Sequence, residues 1–163
     1  MSLLRELFQI DLPILQAPMA GVQDAALALA VSNAGGLGAL PAAMLDAAAL
    51  RVQLQRLRAG TTRPVNINFF CHRPPQPDAA REAAWRALLQ PHYAALGLDA
   101  AAQAAGPARA PFSAALCEVL EEFRPPVVSF HFGLPEPALL ARVKAWGAKV
   151  LSSATTVEEA LWL

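Results

Sequence analysis

Pro13-Ile14-Leu15-Gln16-Ala17-Pro18-Met19-Ala20-Gly21 decides the reading of this chain. A short apolar run is bounded by Pro13 and Pro18, ends in a small-residue turn, and meets a helical pattern at once. Such an order is how a buried parallel strand delivers a ligand-binding loop at its carboxyl end. The expected strand is Ile14 to Met19. Asp24 is placed to cap a following helix, Ala25 to Asn33, and Ala34-Gly35-Gly36 to end it.

The alternation continues outward from there. Leu37 to Leu40 is a second short apolar strand. Asp46 precedes Ala47 to Arg58, a helix with Leu50, Leu54 and Leu57 on one face. Val65-Asn66-Ile67-Asn68-Phe69-Phe70 is a third strand, whose period of two puts both asparagines on one face and the large apolar side chains on the other. After Cys71 the pattern breaks into Pro-rich punctuation. Helical stretches follow at Ala79 to Leu96 and Pro111 to Phe123, with a small-residue loop, Gly97 to Ala110, between them. Residues 71–123 therefore read as a helical insertion. Val127 to Phe132 is a fourth strand, Glu136 to Trp146 a helix, and Lys149 to Ser153 a fifth strand. Thr156-Val157-Glu158-Glu159 has the spacing of a capping box that opens a last helix.

This order, βαβαβ, insertion, αβαβα, is α/β with a parallel sheet, and leaves a doubly wound sheet or a (β/α)8 barrel. Gly35-Gly36-Leu37-Gly38 precedes a strand and so does not match a dinucleotide fingerprint. The barrel is preferred. About five βα units do not close an eight-stranded barrel of about 250 residues. Residues 1–163 are accordingly expected to be the N-terminal part of a larger barrel domain, with an open edge that favours self-association.

Bulk properties narrow the class of function. Of 163 residues, 55% are hydrophobic and 16% charged, and the formal net charge is zero. That composition supports a packed core and gives no basic footprint for nucleic acid or an anionic membrane. Cys71 and Cys117 match no metal spacing and read as free thiols of a reducing compartment. No signal-peptide pattern opens the chain, and a cytoplasmic location is expected.

Strand carboxyl ends are where a barrel binds ligands. Three places there carry chemistry. Pro18-Met19-Ala20 and its small neighbours let a flat ring approach the backbone, although the same residues make an ordinary tight turn. Asn66 and Asn68 offer donors and acceptors to a heterocycle, or satisfy neighbouring backbone groups; Asn68 is nearer the carboxyl end. His131, between Phe130 and Phe132, is a donor to an anionic substrate or a general base, or a satisfied structural histidine. His72 and His92 read as surface or hinge residues.

Taken together, Pro13 to Gly21, Asn66-Ile67-Asn68-Phe69-Phe70, Val127-Val128-Ser129-Phe130-His131-Phe132-Gly133-Leu134-Pro135 and Ala154-Thr155-Thr156-Val157-Glu158-Glu159-Ala160 resemble the nitronate monooxygenase (2-nitropropane dioxygenase) family, in order and essentially end to end. The resemblance implies an FMN-dependent (β/α)8-barrel enzyme that uses O2 to oxidise alkyl nitronates to a carbonyl compound and nitrite. It implies that the backbone of Pro18, Met19 and Ala20 lies against the flavin, that Asn68 hydrogen-bonds FMN, and that His131 is on the substrate side. It also implies that the family's catalytic histidine and phosphate-binding residues lie beyond Leu163. No catalytic residue is therefore assigned here, and the isolated chain is expected to be inactive and to hold little FMN. The alternatives are another FMN barrel reductase, such as an enoyl-thioester reductase, or a non-catalytic fragment. No metal site is expected.

Overall fold

A computed structural model describes residues 3–74, 76–99 and 109–163. The chain forms two compact units, Met1–His72 with Arg109–Leu163, and Arg73–Ala108.

The first unit is built on a four-stranded parallel sheet in the order β1-β2-β3-β4. Its strands are β1 (Gly38–Pro41), β2 (Val65–Phe70), β3 (Val127–His131) and β4 (Lys149–Ser152). Helices α2 (Ala25–Asn33), α3 (Ala47–Gly60), α5 (Ala114–Phe123), α6 (Pro137–Ala145) and α7 (Val157–Trp162) alternate with the strands. Strand spacing and alternation therefore produce the expected α/β, parallel architecture. A short helix, α1 (Leu3–Phe8), opens the unit and has no counterpart in the reading above.

Local chemistry explains where the helices begin. Asp24 accepts from Ala26 N, Asp46 from Ala49 N and Thr156 from Glu159 N, each satisfying an amide that helix geometry leaves free. The capping box of α7 is displaced by one residue. The Glu159 carboxylate accepts chiefly from the backbone N and hydroxyl of Thr155, ahead of the Thr156 backbone. Helix α5 starts at Ala114, three residues later than the hydrophobic pattern suggests, because Ser113 caps it.

The period of two in β2 sorts the sheet into two faces. Val65, Ile67 and Phe69 join Val128 and Phe130 of β3 on the face that α3, α5 and α6 cover. Leu50, Leu54 and Leu57, the stripe expected on α3, are all buried there. Phe112 closes this core with its ring 4.8 Å from Phe69 and 5.3 Å from Phe130. Gly38 is required where α2 meets β1, since a Cβ there would stand 2.0 Å from the Ala28 carbonyl oxygen. On the opposite face, Phe8 and Ile10 from the α1 segment pack on Leu37 and Val127.

One expected element is corrected. Ile14 to Met19 is not a strand, and only Leu15 bridges, to Leu37. Leu37 N donates to Ile14 O and Gln16 N to Leu37 O, both at 2.9 Å. In a parallel ladder the next rung would take an N–H from residue 18, and Pro18 has none. The Gln16 side chain replaces that rung: its Oε1 accepts from Ala39 N at 3.0 Å and its Nε2 donates to Ala39 O at 3.1 Å. Four strands and a bridge thus stand where five strands were expected.

The second unit contains α4 (Ala79–Ala95), capped by Asp78, which accepts from Ala80 N and Arg81 N. None of its side chains is buried, and Trp85 and Leu88 are largely exposed. Most of the expected Gly97 to Ala110 loop lies outside the described residues.

Candidate functional site

The face of the sheet opposite α3 and α5 carries the polar residues. Register places Pro41, Asn68, Ser129 and Leu151 side by side, and the next row up places Phe70 beside His131. Asn66, Asn68 and His131 therefore share one face, at rising heights toward the strand carboxyl ends.

Ser129 joins the two asparagines. Asn66 Nδ2 and Asn68 Nδ2 both donate to Ser129 Oγ at 2.9 Å, and Asn68 Nδ2 also reaches Ser129 O at 3.4 Å. Asn68 is 2% exposed and Asn66 5%. Asn66 Oδ1 is buried with no hydrogen-bond partner. Turning the Asn66 amide over lets its oxygen accept the Ser129 hydroxyl proton but strands its NH2 group instead. Either way one end of this buried amide is unpaired, and a buried polar group without a partner points to a ligand or an ordered water.

His131 ends β3 and is half-buried. Its Nδ1 lies 2.7 Å from Ser153 Oγ. Its ring stands 6.3 Å from Phe70 and 6.2 Å from Phe132. Phe132 has φ of +66°, a left-handed conformation that bulky residues avoid, and is 62% exposed. Its ring meets Phe70 edge-on at 5.0 Å and His72 at 6.4 Å. His72, two residues after β2 ends, is thus a half-buried member of this aromatic cluster.

Pro18, Met19 and Ala20 lie elsewhere on the same rim. Their segment runs along the edge of β1 away from β2 and β3, since Leu15 pairs with Leu37 in parallel. Gln23 holds it there, its Nε2 donating to Ala17 O at 3.3 Å and to Ala39 O at 3.2 Å. Met19 is 47% exposed. Gly21, with φ of +85°, turns the chain into a hollow lined by Gln23, Pro41 and Met44. The fold brings Asn68 and His131 onto one face, with β1 between them and the Pro18–Ala20 turn.

The sequence reading missed Gln16, Gln23, Ser129 and Ser153. A glutamine inside the expected proline-bounded strand, another four places beyond it, and serines that stand across the sheet from asparagines or a histidine carry no motif. Their roles follow only from strand order.

A second hollow, of about 390 Å³, opens at the strand amino ends among Leu54, Leu57, Val65 and Pro126. Its walls are mainly apolar, with Arg58, Arg63, Arg124 and Lys149 also lining it. Asn66, second in β2, is nearer to this end, while Asn68 and the His131 imidazole stand toward the other, where barrel chemistry is located. Among the described residues no three His, Cys, Asp or Glu side chains cluster to hold a metal, and no helix is long and apolar enough to cross a membrane.

A family model described as nitronate monooxygenase matches residues 1–163. A nitronate monooxygenase of Paraburkholderia phytofirmans is 46% identical over 156 residues, covering 94% of this chain and 42% of that protein. A nitronate monooxygenase of Pseudomonas aeruginosa is 43% identical over 155 residues, covering 94% and 44%. Among solved structures, nitroalkane oxidase from Streptomyces ansochromogenes superposes with a TM-score of 0.77 at 38% identity, covering 98% of this chain and 44% of that one. A mutant of FabK from Thermotoga maritima superposes with a TM-score of 0.68 at 25% identity, covering 96% of this chain and 40% of that one. The chain spans less than half the length of these relatives.

Proposed function

Because the chain belongs to the nitronate monooxygenase family, we propose that the protein carrying it oxidises alkyl nitronates with O2, giving a carbonyl compound and nitrite, on FMN held at the carboxyl ends of the strands. FMN, when bound, supplies the electron-transfer chemistry that protein side chains lack.

The observation that carries this reading is the polar face itself. Asn68 and Ser129, side by side toward the carboxyl ends, are neutral hydrogen-bonding groups, and Asn66, one pleat nearer the amino ends, braces Ser129 from below with one end of its amide unpaired. That donor and acceptor set fits the amide edge of a flavin ring. In this reading Asn68 holds the ring and Ser129 orients its amide. The backbone of Pro18, Met19 and Ala20 lies against the ring from the β1 side. The loops that follow β1, β3 and β4 bring no lysine or arginine within residues 42–46, 132–136 and 153–156, so these three loops suit the ring and not the phosphate, and Arg73 is the one cation of the loop after β2.

His131 donates to the nitronate oxygens, where charge is held against an otherwise apolar wall. Phe70 and Phe132 supply that wall and keep water from the anion. Free Cys71 and Cys117 support a reducing, cytoplasmic location.

Oxygen uptake and nitrite release from propionate 3-nitronate, measured on the protein with FMN added, test the function. His131→Ala is expected to weaken nitronate turnover or binding. NAD(P)H oxidation driven by an enoyl thioester, with no response to nitronate, would overturn the reading in favour of a barrel reductase.

A further inference from the structure

We propose that Ser153 is a positioning residue that holds the His131 imidazole in the tautomer with its proton on Nε2, leaving that N–H free to donate; the role it serves rests on the substrate reading of His131 above.

The sheet register makes the pair. Phe130 is opposite Ser152 across β3 and β4, so the next residues, His131 and Ser153, are lateral neighbours on the polar face. Ser153 Oγ and His131 Nδ1 stand 2.7 Å apart. A neutral imidazole has one N–H and one bare nitrogen, and a hydroxyl both donates and accepts. Two arrangements satisfy the distance. If Nδ1–H donates to Oγ, Nε2 is a bare lone pair that repels an anion. If Oγ–H donates to Nδ1, Nε2 carries the proton. A separation of 2.7 Å lies within hydrogen-bond range for either donor. The Ser153 hydroxyl rotates to either role, and Phe70 and Phe132 flank the ring that it meets. Of the two arrangements, only the one with Oγ–H donating leaves Nε2 a donor toward an anion.

The adjacent serine does different work. Ser152 Oγ lies 3.3 Å from Phe130 O and 3.4 Å from Gly133 O, and so ties β4 to the backbone turn after β3. One serine fixes the backbone and the other fixes the ring. Such a partner, bonded to one imidazole nitrogen, decides what the other nitrogen can do.

The test is two-bond 1H–15N correlation on the 15N-labelled full chain, in alkaline buffer where imidazole is neutral, with His131 assigned by its loss in His131→Gln. Wild type is expected to show the Nε2–H tautomer with Nδ1 as a hydrogen-bonded acceptor. Ser153→Ala is expected to lose the hydrogen-bonded Nδ1 signature and gain Nδ1–H population, and Ser153→Thr to restore the wild-type pattern. Backbone amide dispersion checks that each variant is folded, and Ser153→Cys, a weaker donor of similar size, replaces Ser153→Ala if that variant does not fold. A wild-type ring protonated on Nδ1, or an unchanged spectrum in Ser153→Ala, overturns the proposal. Addition of propionate 3-nitronate then separates the two readings: a shift at Nε2–H supports both. The expected tautomer with no response to nitronate in the FMN-loaded protein upholds the Ser153 assignment and overturns the substrate role of His131.

Discussion

Ser129 accepts two amide protons on one buried oxygen, and this arrangement makes it the residue on which the polar face depends. Ser129→Ala removes the acceptor of both Asn66 and Asn68 while leaving their amides buried. Stranding buried polar groups costs about 1–3 kcal/mol, and urea denaturation should register a loss of that size. An unchanged midpoint would mean the asparagines find other partners. Cys71 offers a second, pH-dependent readout. Burial pushes its thiol from the ordinary 9.0 up to about 12, and burial raises Cys117 as well. A raised acid favours the fold while it is protonated. The thiol contribution is therefore complete below about pH 9 and falls away between 9 and about 12, because there the unfolded thiol releases its proton and the folded one keeps it. Urea midpoints should decline through that window, and Cys71→Ala should flatten part of the decline. A wild-type and variant decline of equal slope would remove Cys71 as a cause.

Gln16 shows how one side chain can stand in for an element. Pro18 ends the ladder between the Leu15 segment and β1, and the Gln16 amide takes both backbone groups of Ala39, a residue only 1% exposed. Gln16→Ala leaves Ala39 N–H without that acceptor, while Gln23 still donates to Ala39 O. The expected result is a stability loss of about 1–3 kcal/mol with faster hydrogen exchange at the Ala39 amide. Slow exchange in the variant would show that another group has closed the rung. The helices are tied by weaker means. Glu121 pairs with Arg142 and Glu122 with Arg51, linking α5 to α6 and α3. In each pair the hydrogen bond from the guanidinium holds the carboxyl below its usual range. These pairs are solvent-exposed, so the packing of Leu116, Val119 and Leu120 decides where α5 sits.

Seen whole, the sheet is unevenly protected. β1 and β2 are buried almost throughout, whereas the four residues of β4 are exposed or half-buried. An outer strand with free backbone groups is a template for pairing with a second chain. We expect static light scattering of the chain to give a mass that rises with concentration. A constant monomer mass across the same range would argue that side chains on β4 already discourage pairing. The second unit, with an α4 that buries none of its side chains, is expected to be cut by protease before the sheet.

Elements were legible in the residues wherever the signal was local. Asp24, Asp46 and Thr156 mark helix starts because a short polar side chain answers an amide two or three residues on. Leu50, Leu54 and Leu57 mark a buried face because helical pitch alone brings them together. Val65 to Phe70 reads as a strand with its asparagines on one side because the pleat has a period of two. The failures are as physical. Ile14 to Met19 has a strand's composition, yet Pro18 lacks one proton that only a neighbouring strand would have asked for. The amino-acid sequence by itself thus determined the parallel α/β order and the polar face of β2, since both follow from periodicities within a dozen residues. Only the tertiary structure decided that Ser129 meets Asn66 and Asn68, that Ser153 meets His131, and that Gln16 completes β1. Those contacts join residues 22 to 63 positions apart, and strand order and register, not local propensity, bring such residues together.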